Sequence, residues 1–225
     1  MRYADTLRIP VPLLTTTIKP EGTLSQVAGG VSSGLHRSHA EYYIRRIRIS
    51  AKDPLAQVAK HLGWRVHADV GTKGLNTAEE LSRPDIIEQA DTLVIDFPVH
   101  SGAKTTKEDV FVEEQFETYF NFQQHYTEHN SSITIHVRPN ECDKVEDIMW
   151  ERWDELVGVS FIPYDGGGYV LAPYETITKE EYEALRDSMA PFTPEALQPF
   201  ENKFLDKELA MKEAEGCEGG ACPIF

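Results

Sequence analysis

Segments with the period of a helix alternate with β-branched, strand-like runs through the middle of this chain, and that alternation constrains the fold more than any other feature. YYIRRIRIS, residues 42–50, alternates as a strand does. DPLAQVAKHLGW, residues 53–64, predicts a helix: Pro54 suits its first turn, and Leu55, Val58, Ala59 and Leu62 form one stripe. TLVIDFPV, residues 92–99, is an apolar strand. Residues 107–129 predict a long helix with an aromatic stripe that includes Phe116, Tyr119, Phe120 and Phe122. SSITIHV, residues 131–137, is another strand, and residues 143–157 predict a helix carrying Val145, Ile148, Met149 and Trp153. This order favours an α/β fold with some parallel pairing. About five strands are legible, enough for a small open sheet or for a piece of a larger sheet or barrel.

The flanks are less regular. Residues 1–8 read as the end of a helix that Pro10 and Pro12 stop. LLTTTI, residues 13–18, reads as a short buried strand. GVSFIPYDGGGYVLAPYETI suggests a short strand, a Gly-rich turn and an extended segment, and Thr178 with Glu181 opens the next helix as a capping box. Residues 201–215 are Lys/Glu-rich, as in a solvated helix, and GCEGGACPIF ends the chain as a flexible tail.

With 225 residues, 40% of them hydrophobic, the chain can bury a sizeable core. No apolar run approaches the roughly 18–20 residues of a membrane span. The first residues lack the apolar stretch of a secretory signal. Three cysteines, an odd number, fit a reducing compartment, so a cytoplasmic location and no membrane partner are expected. The net charge of −15 is unevenly spread: residues 1–65 carry +6, residues 66–173 carry −14 and residues 174–225 carry −7. A basic quarter ahead of an acidic remainder can mark a part that binds an anion.

Three stretches could carry chemistry. In TTTIKPEGTLSQ, residues 15–26, a strand runs into a turn and then a helix start. Free N–H groups there, with the Thr23 and Ser25 hydroxyls, Lys19 nearby and Gly22 allowing close approach, suit a phosphate. An ordinary capped turn would use the same residues, and no Lys-Ser or Lys-Thr follows as in a Walker A loop. In HRSHAEYYIRRIRIS, Arg37, Arg45, Arg46 and Arg48 could hold phosphate or carboxylate groups, or could pair with acids downstream. If residues 42–50 form a strand, Arg46 and Arg48 share a face. In the tail, the glycines let Cys217 and Cys222 meet, and an exposed terminal dithiol can exchange with a protein disulfide and then with an external reductant. No histidine lies near the pair to complete a zinc site.

The remaining candidates are weaker. The eight histidines form no convincing ligand set, although His125 and His129 share a helix face, and no metal is expected. Cys142 reads as structural, and Asp96 as a lone carboxylate at a strand end.

TTTIKPEGTLSQVAGGVSSGLHRSHAEYYIRRIRIS resembles the adenosylcobalamin-dependent (class II) ribonucleotide reductases, closest to the monomeric branch acting on ribonucleoside triphosphates. DTLVIDFPV, QQHYTEHNSSITIHVRPNE, VGVSFIPYDGGGYVLAPYE and the terminal CEGGACPI follow in family order. The resemblance implies that residues 1–200 are the C-terminal part of a ten-stranded α/β barrel, and that residues 201–225 are an acidic helix and a mobile redox tail. It implies that Pro20, Glu21, Gly22, Thr23, Leu24 and Ser25 hold the substrate's phosphates. It further implies that Cys217 and Cys222 re-reduce the active-site disulfide after each turnover and are themselves reduced by thioredoxin or a similar dithiol. No nucleic-acid partner is implied.

The family's radical-bearing cysteine and the glutamate and asparagine that assist it lie in an Asn-Pro-Cys-Gly-Glu-like stretch that this sequence lacks. Adenosylcobalamin, whose cobalt–carbon homolysis starts the radical chemistry there, has no contacts assignable here. The chain is therefore expected to be inactive without an upstream N-terminal polypeptide. A split subunit, a product beside an intervening element and a truncated gene are its three expected origins. The alternative is a non-catalytic thiol redox or nucleotide-binding remnant.

Overall fold

In chain order the named elements are α1 (Arg2–Leu7), α2 (Leu24–Val27), β1 (Tyr42–Ser50), α3 (Pro54–His61), β2 (Val66–Ala68), α4 (Ala78–Leu81), α5 (Pro84–Ile87), β3 (Thr92–His100), α6 (Val112–His125), β4 (Thr134–Val137), α7 (Cys142–Glu151), β5 (Ser160–Pro163), β6 (Tyr174–Thr176) and α8 (Lys179–Ser188). They come from a computed structural model that describes residues 2–29, 31–164, 168–202 and 204. The fold is mixed α/β, as the alternation implied, with two sheets. Contacts divide it into two units, Met1–Tyr43 with Val99–Gly168 and Ile44–Pro98 with Tyr169–Phe225. No helix among the described residues is long and apolar enough to cross a membrane.

The second unit is built on a four-stranded sheet in the order β2-β3-β1-β6, with β2 antiparallel to β3 and His67 opposite Val94. Helix α3 starts where the sequence places it, because the Asp53 carboxylate accepts the Leu55 N–H at 2.8 Å and Pro54 fits the first turn. Its Ala56 and Ala59 pack with Leu81, Ile86, Leu93, Val94 and Ile95 in one apolar core. The capping box of α8 forms: Thr178 Oγ1 accepts the Glu181 N–H, and the Glu181 carboxylate accepts the Thr178 N–H at 2.8 Å.

The first unit holds the two-stranded sheet. β4 and β5 run parallel, with Thr134 opposite Ser160 and Val137 opposite Pro163. Val112, Phe116, Tyr119 and Phe120 of α6 cover Ile133 and Ile135. Phe122, expected in the same stripe, is exposed. Helix α6 begins at Val112 rather than at residue 107. Asp109 accepts both the N–H and the hydroxyl of Thr106 (2.7 and 2.9 Å), which fixes a turn, and Phe111 is extended. The helix expected over 143–157 stops at Glu151, and a short 3₁₀ turn, Trp153–Glu155, follows.

Residues 13–18 do not form the buried strand their β-branched composition suggested. Leu13 is 95% exposed, and only Ile18 makes a bridge, parallel to Ser131. The threonines are held mostly by their hydroxyls. Thr15 Oγ1 donates to the Glu128 carboxylate at 2.7 Å, Thr16 Oγ1 to Tyr126 O at 3.0 Å and Thr17 Oγ1 to Asn130 O at 2.9 Å. Residues 126–131, which lie alongside, are a turn rather than a strand, so side-chain bonds replace most of a ladder.

Candidate functional site

Residues 20–25 form a turn that opens α2. The Ser25 N–H donates to Glu21 O at 2.9 Å and starts the turn's backbone bonding. The N–H groups of Gly22, Thr23 and Leu24 precede it, at the end of a helical turn where donors have no intrahelical partner. Glu21 lies in the left-handed region with φ +53, at a cost of about 1–2 kcal/mol for a residue with a Cβ. Pro20, Gly22, Thr23 and Leu24 are exposed, and a Cβ built on Gly22 would meet nothing within 4 Å. The outer side of the turn is therefore open to an approaching group.

Its inner side is closed by a second loop. Ser25 is only 5% exposed, and its hydroxyl lies 3.2 Å from that of Ser33. Gly34 has φ +52 and lies so close to the chain before the turn that a Cβ would stand 2.8 Å from Lys19 O and 3.2 Å from Pro20 Cα. Only glycine fits both demands. Leu35 anchors this loop in the core of the unit. His36 completes the anchorage: its Nδ1 is 2.7 Å from Ser33 O, and its Nε2 accepts the Thr134 N–H at 3.0 Å. Ser33, Gly34 and His36 were not singled out from the sequence; the Gly/Ser-rich SSGLH was their only signal.

The Thr134 bond belongs to a pattern along β4. Toward β5, the carbonyls of Ile133 and Val137 accept from Ser160 and Tyr164. On the opposite edge no full strand is present among the described residues, and single groups substitute for one. The Ser132 N–H reaches Ile18 O at 3.0 Å, the Thr134 N–H reaches His36, the His136 N–H reaches Gln115 Oε1 at 2.9 Å and the Arg138 N–H reaches Glu141 Oε2 at 2.9 Å. These half-buried donors are thereby satisfied by single groups.

Of the four arginines read either as ligand-holding or as paired with acids, Arg37, Arg46 and Arg48 are paired, whereas Arg45 donates to Pro173 O at 3.2 Å and lies over the Tyr174 ring. Arg37 meets Glu114 at 2.7 Å and Arg48 meets Asp69 at 3.0 Å. Arg46 meets Asp96 at 2.9 Å and Glu175 at 2.6 Å, and it also donates to Ala172 O. Asp96, fully buried, faces His67 Nε2 at 3.2 Å on its other side. His67, Asp96, Arg46 and Glu175 thus form a row of polar side chains across β2, β3, β1 and β6 in sheet order.

Other groups hold no ligand set. Among the described residues no three or more His, Cys, Asp or Glu are grouped to hold a metal ion. Burial, followed by the charges of Lys107 and His136, pushes His39 down to about 4, so it is neutral at pH 7. Cys142, expected to be structural, is exposed at the start of α7 and lines an apolar cavity of about 310 Å³ with Val137, Val145, Phe161 and Tyr164. Cys217 and Cys222 lie outside the described residues.

No family model matches the chain. Curated proteins do. The adenosylcobalamin-dependent ribonucleoside-triphosphate reductase of Lactobacillus helveticus is 30% identical over 228 residues, which is 99% of this chain and 28% of that protein. The enzyme of the same name from Lactobacillus leichmannii is 32% identical over 222 residues, again 28% of its length. A crystal structure of a B12-dependent (class II) ribonucleotide reductase superposes on 88% of this chain and 26% of its own, with a TM-score of 0.71 and 30% identity. The chain is thus a homologue of part of a ribonucleotide reductase. These relatives are of the adenosylcobalamin-dependent class, class II, and the chain matches a C-terminal portion of them. The chain spans just over a quarter of the length of these relatives.

Proposed function

We propose that the chain supplies the C-terminal part of the catalytic barrel of an adenosylcobalamin-dependent ribonucleoside-triphosphate reductase in the cytoplasm. In this reading, residues 20–25 hold the substrate's phosphates, and Cys217 and Cys222 deliver electrons to the active site. The observation that carries it is the continuous similarity over 99% of the chain to enzymes of that name. The turn at 20–25 supports it locally, with its open outer side and its exposed Gly22, Thr23 and Leu24 at a helix start.

The remaining polypeptide is proposed as a partner. Leu13, Trp150, Trp153 and Val157 are large apolar residues in the open. A parallel pair such as β4–β5 is ordinarily part of a larger, covered sheet. Both features are those of a barrel segment that needs the rest of its barrel, and the chain alone is expected to reduce no nucleotide. Adenosylcobalamin would supply the radical in the assembled enzyme; none of the side chains placed above is assigned to hold it.

The tail chemistry is thiol–disulfide exchange. One tail thiolate attacks a sulfur of the active-site disulfide and forms a mixed disulfide. The second tail thiolate displaces it, which leaves the active site as two thiols and the tail as a Cys217–Cys222 disulfide. A thioredoxin-type dithiol then reduces the tail and is itself oxidised, so two electrons pass at each stage. The test is the double variant Cys217→Ser/Cys222→Ser in the assembled enzyme. Single turnover should persist and multiple turnover with thioredoxin should stop. Undiminished multiple turnover would remove the shuttle assignment.

A further inference from the structure

We propose that His36 is a positioning residue for the phosphate-holding turn, acting as a neutral imidazole protonated on Nδ1. The inference rests on the reading of residues 20–25 given above and adds to it the group that fixes their shape. The tautomer follows from the two partners. Ser33 O can only accept, so the ring nitrogen 2.7 Å away, Nδ1, carries the hydrogen. The Thr134 N–H can only donate, so Nε2, 3.0 Å away, is bare.

One ring therefore joins two parts of the unit. On one side stands β4, whose edge lacks a full strand and takes His36 as one of four substitutes. On the other side stands the 31–36 loop, whose Ser33 hydroxyl meets buried Ser25 and whose Gly34 backs onto Lys19 and Pro20. Strand β4 is held by the core through Ile135 and, just before it, Ile133, so His36 transmits a rigid position to a loop with no regular structure of its own. The turn then presents Gly22, Thr23 and Leu24 with little reorganisation on binding, which lowers the cost of holding a phosphate chain. His36 itself touches no substrate in this account.

The test uses the chain assembled with the rest of the reductase and measures kcat and KM with ATP as the substrate. Three variants are compared. His36→Leu keeps bulk and removes both bonds. His36→Gln offers a donor and an acceptor at a similar spacing. Gly22→Val places a side chain in the open space outside the turn, where nothing in the fold opposes it. With the loss of one or two hydrogen bonds, His36→Leu should raise KM about five- to tenfold and leave kcat within about twofold. His36→Gln should return KM close to wild type, and Gly22→Val should raise KM strongly. A raised KM for Gly22→Val with an unchanged KM for His36→Leu would overturn the role of His36 and leave the turn's role standing. An unchanged KM for Gly22→Val would overturn the reading of the turn itself. Equal damage to kcat from His36→Leu and His36→Gln would show general disruption and overturn positioning through these two bonds.

Discussion

Arg46 Nε lies 2.9 Å from Asp96 Oδ1 across neighbouring strands, with both side chains buried. Each has a further neighbour: Glu175 pairs with the arginine, and His67 Nε2 lies 3.2 Å from the aspartate. Removing Asp96 leaves buried Arg46 with only the half-exposed Glu175 as counterion, and breaking a buried pair of this kind costs about 3–5 kcal/mol. Asp96→Asn should therefore lower the denaturant midpoint strongly. Arg37→Ala, which breaks a more exposed pair with Glu114, should cost less than about 1 kcal/mol. Equal, small effects would show that the buried Arg46–Asp96 pair contributes little.

Gly34→Ala should damage the turn from behind. The new methyl would need φ +52 and would stand 2.8 Å from Lys19 O, a backbone atom that cannot rotate away. The expected result is a loss of about 1–3 kcal/mol in stability and a raised KM for nucleotide in the assembled enzyme. Gly22→Ala, in open space, is the comparison and should fold as the wild type does.

Acid should weaken the first unit before its carboxylates titrate. Burial and the nearby charges of Lys107 and His136 lower His39 from 6.5 to about 4, and His136 is lowered by burial, Lys107 and His36. The unfolded chain thus binds protons at these sites at a higher pH than the folded one does. Their contribution is fully present above about pH 6.5 and is lost as pH falls toward 4. A urea-midpoint profile should decline over that window, and His39→Gln should flatten most of the decline. A wild-type profile flat from pH 7 to 5 would contradict this account.

Glu141 should prove a structural carboxylate. It is buried, and it accepts from the Arg138 N–H at 2.9 Å and from the Val112 N–H, at the first turn of α6, at 3.3 Å. Glu141→Ala leaves both donors unsatisfied and should cost about 1–3 kcal/mol for each that stays dry. Hydrogen exchange at the Val112 amide should accelerate with it; unchanged protection would show that another group caps the helix.

How much the sequence disclosed depends on how local the causes were. The strand at 42–50 and the helix after Asp53 were legible because alternation and the Asp-Pro start are encoded within a dozen residues. The capping box at Thr178 was legible for the same reason. Residues 13–18 misled, because their threonine hydroxyls are taken by residues more than a hundred positions later. The turn at 20–25 was legible as a candidate, but its support was not. His36 matters through Thr134, which is 98 positions away. The arginines carried both readings until Asp96, 50 positions from Arg46, was placed beside it.

The central claim is that this chain is one part of a working ribonucleotide reductase. The most direct measurement is deoxyribonucleotide formation by the chain alone, by the polypeptide supplying the rest of the barrel alone, and by the two together, each with adenosylcobalamin, a ribonucleoside triphosphate and thioredoxin. The account predicts sustained reduction from the combination and none from either part. Reduction by the chain alone, or none from a stable complex of the two, would contradict it.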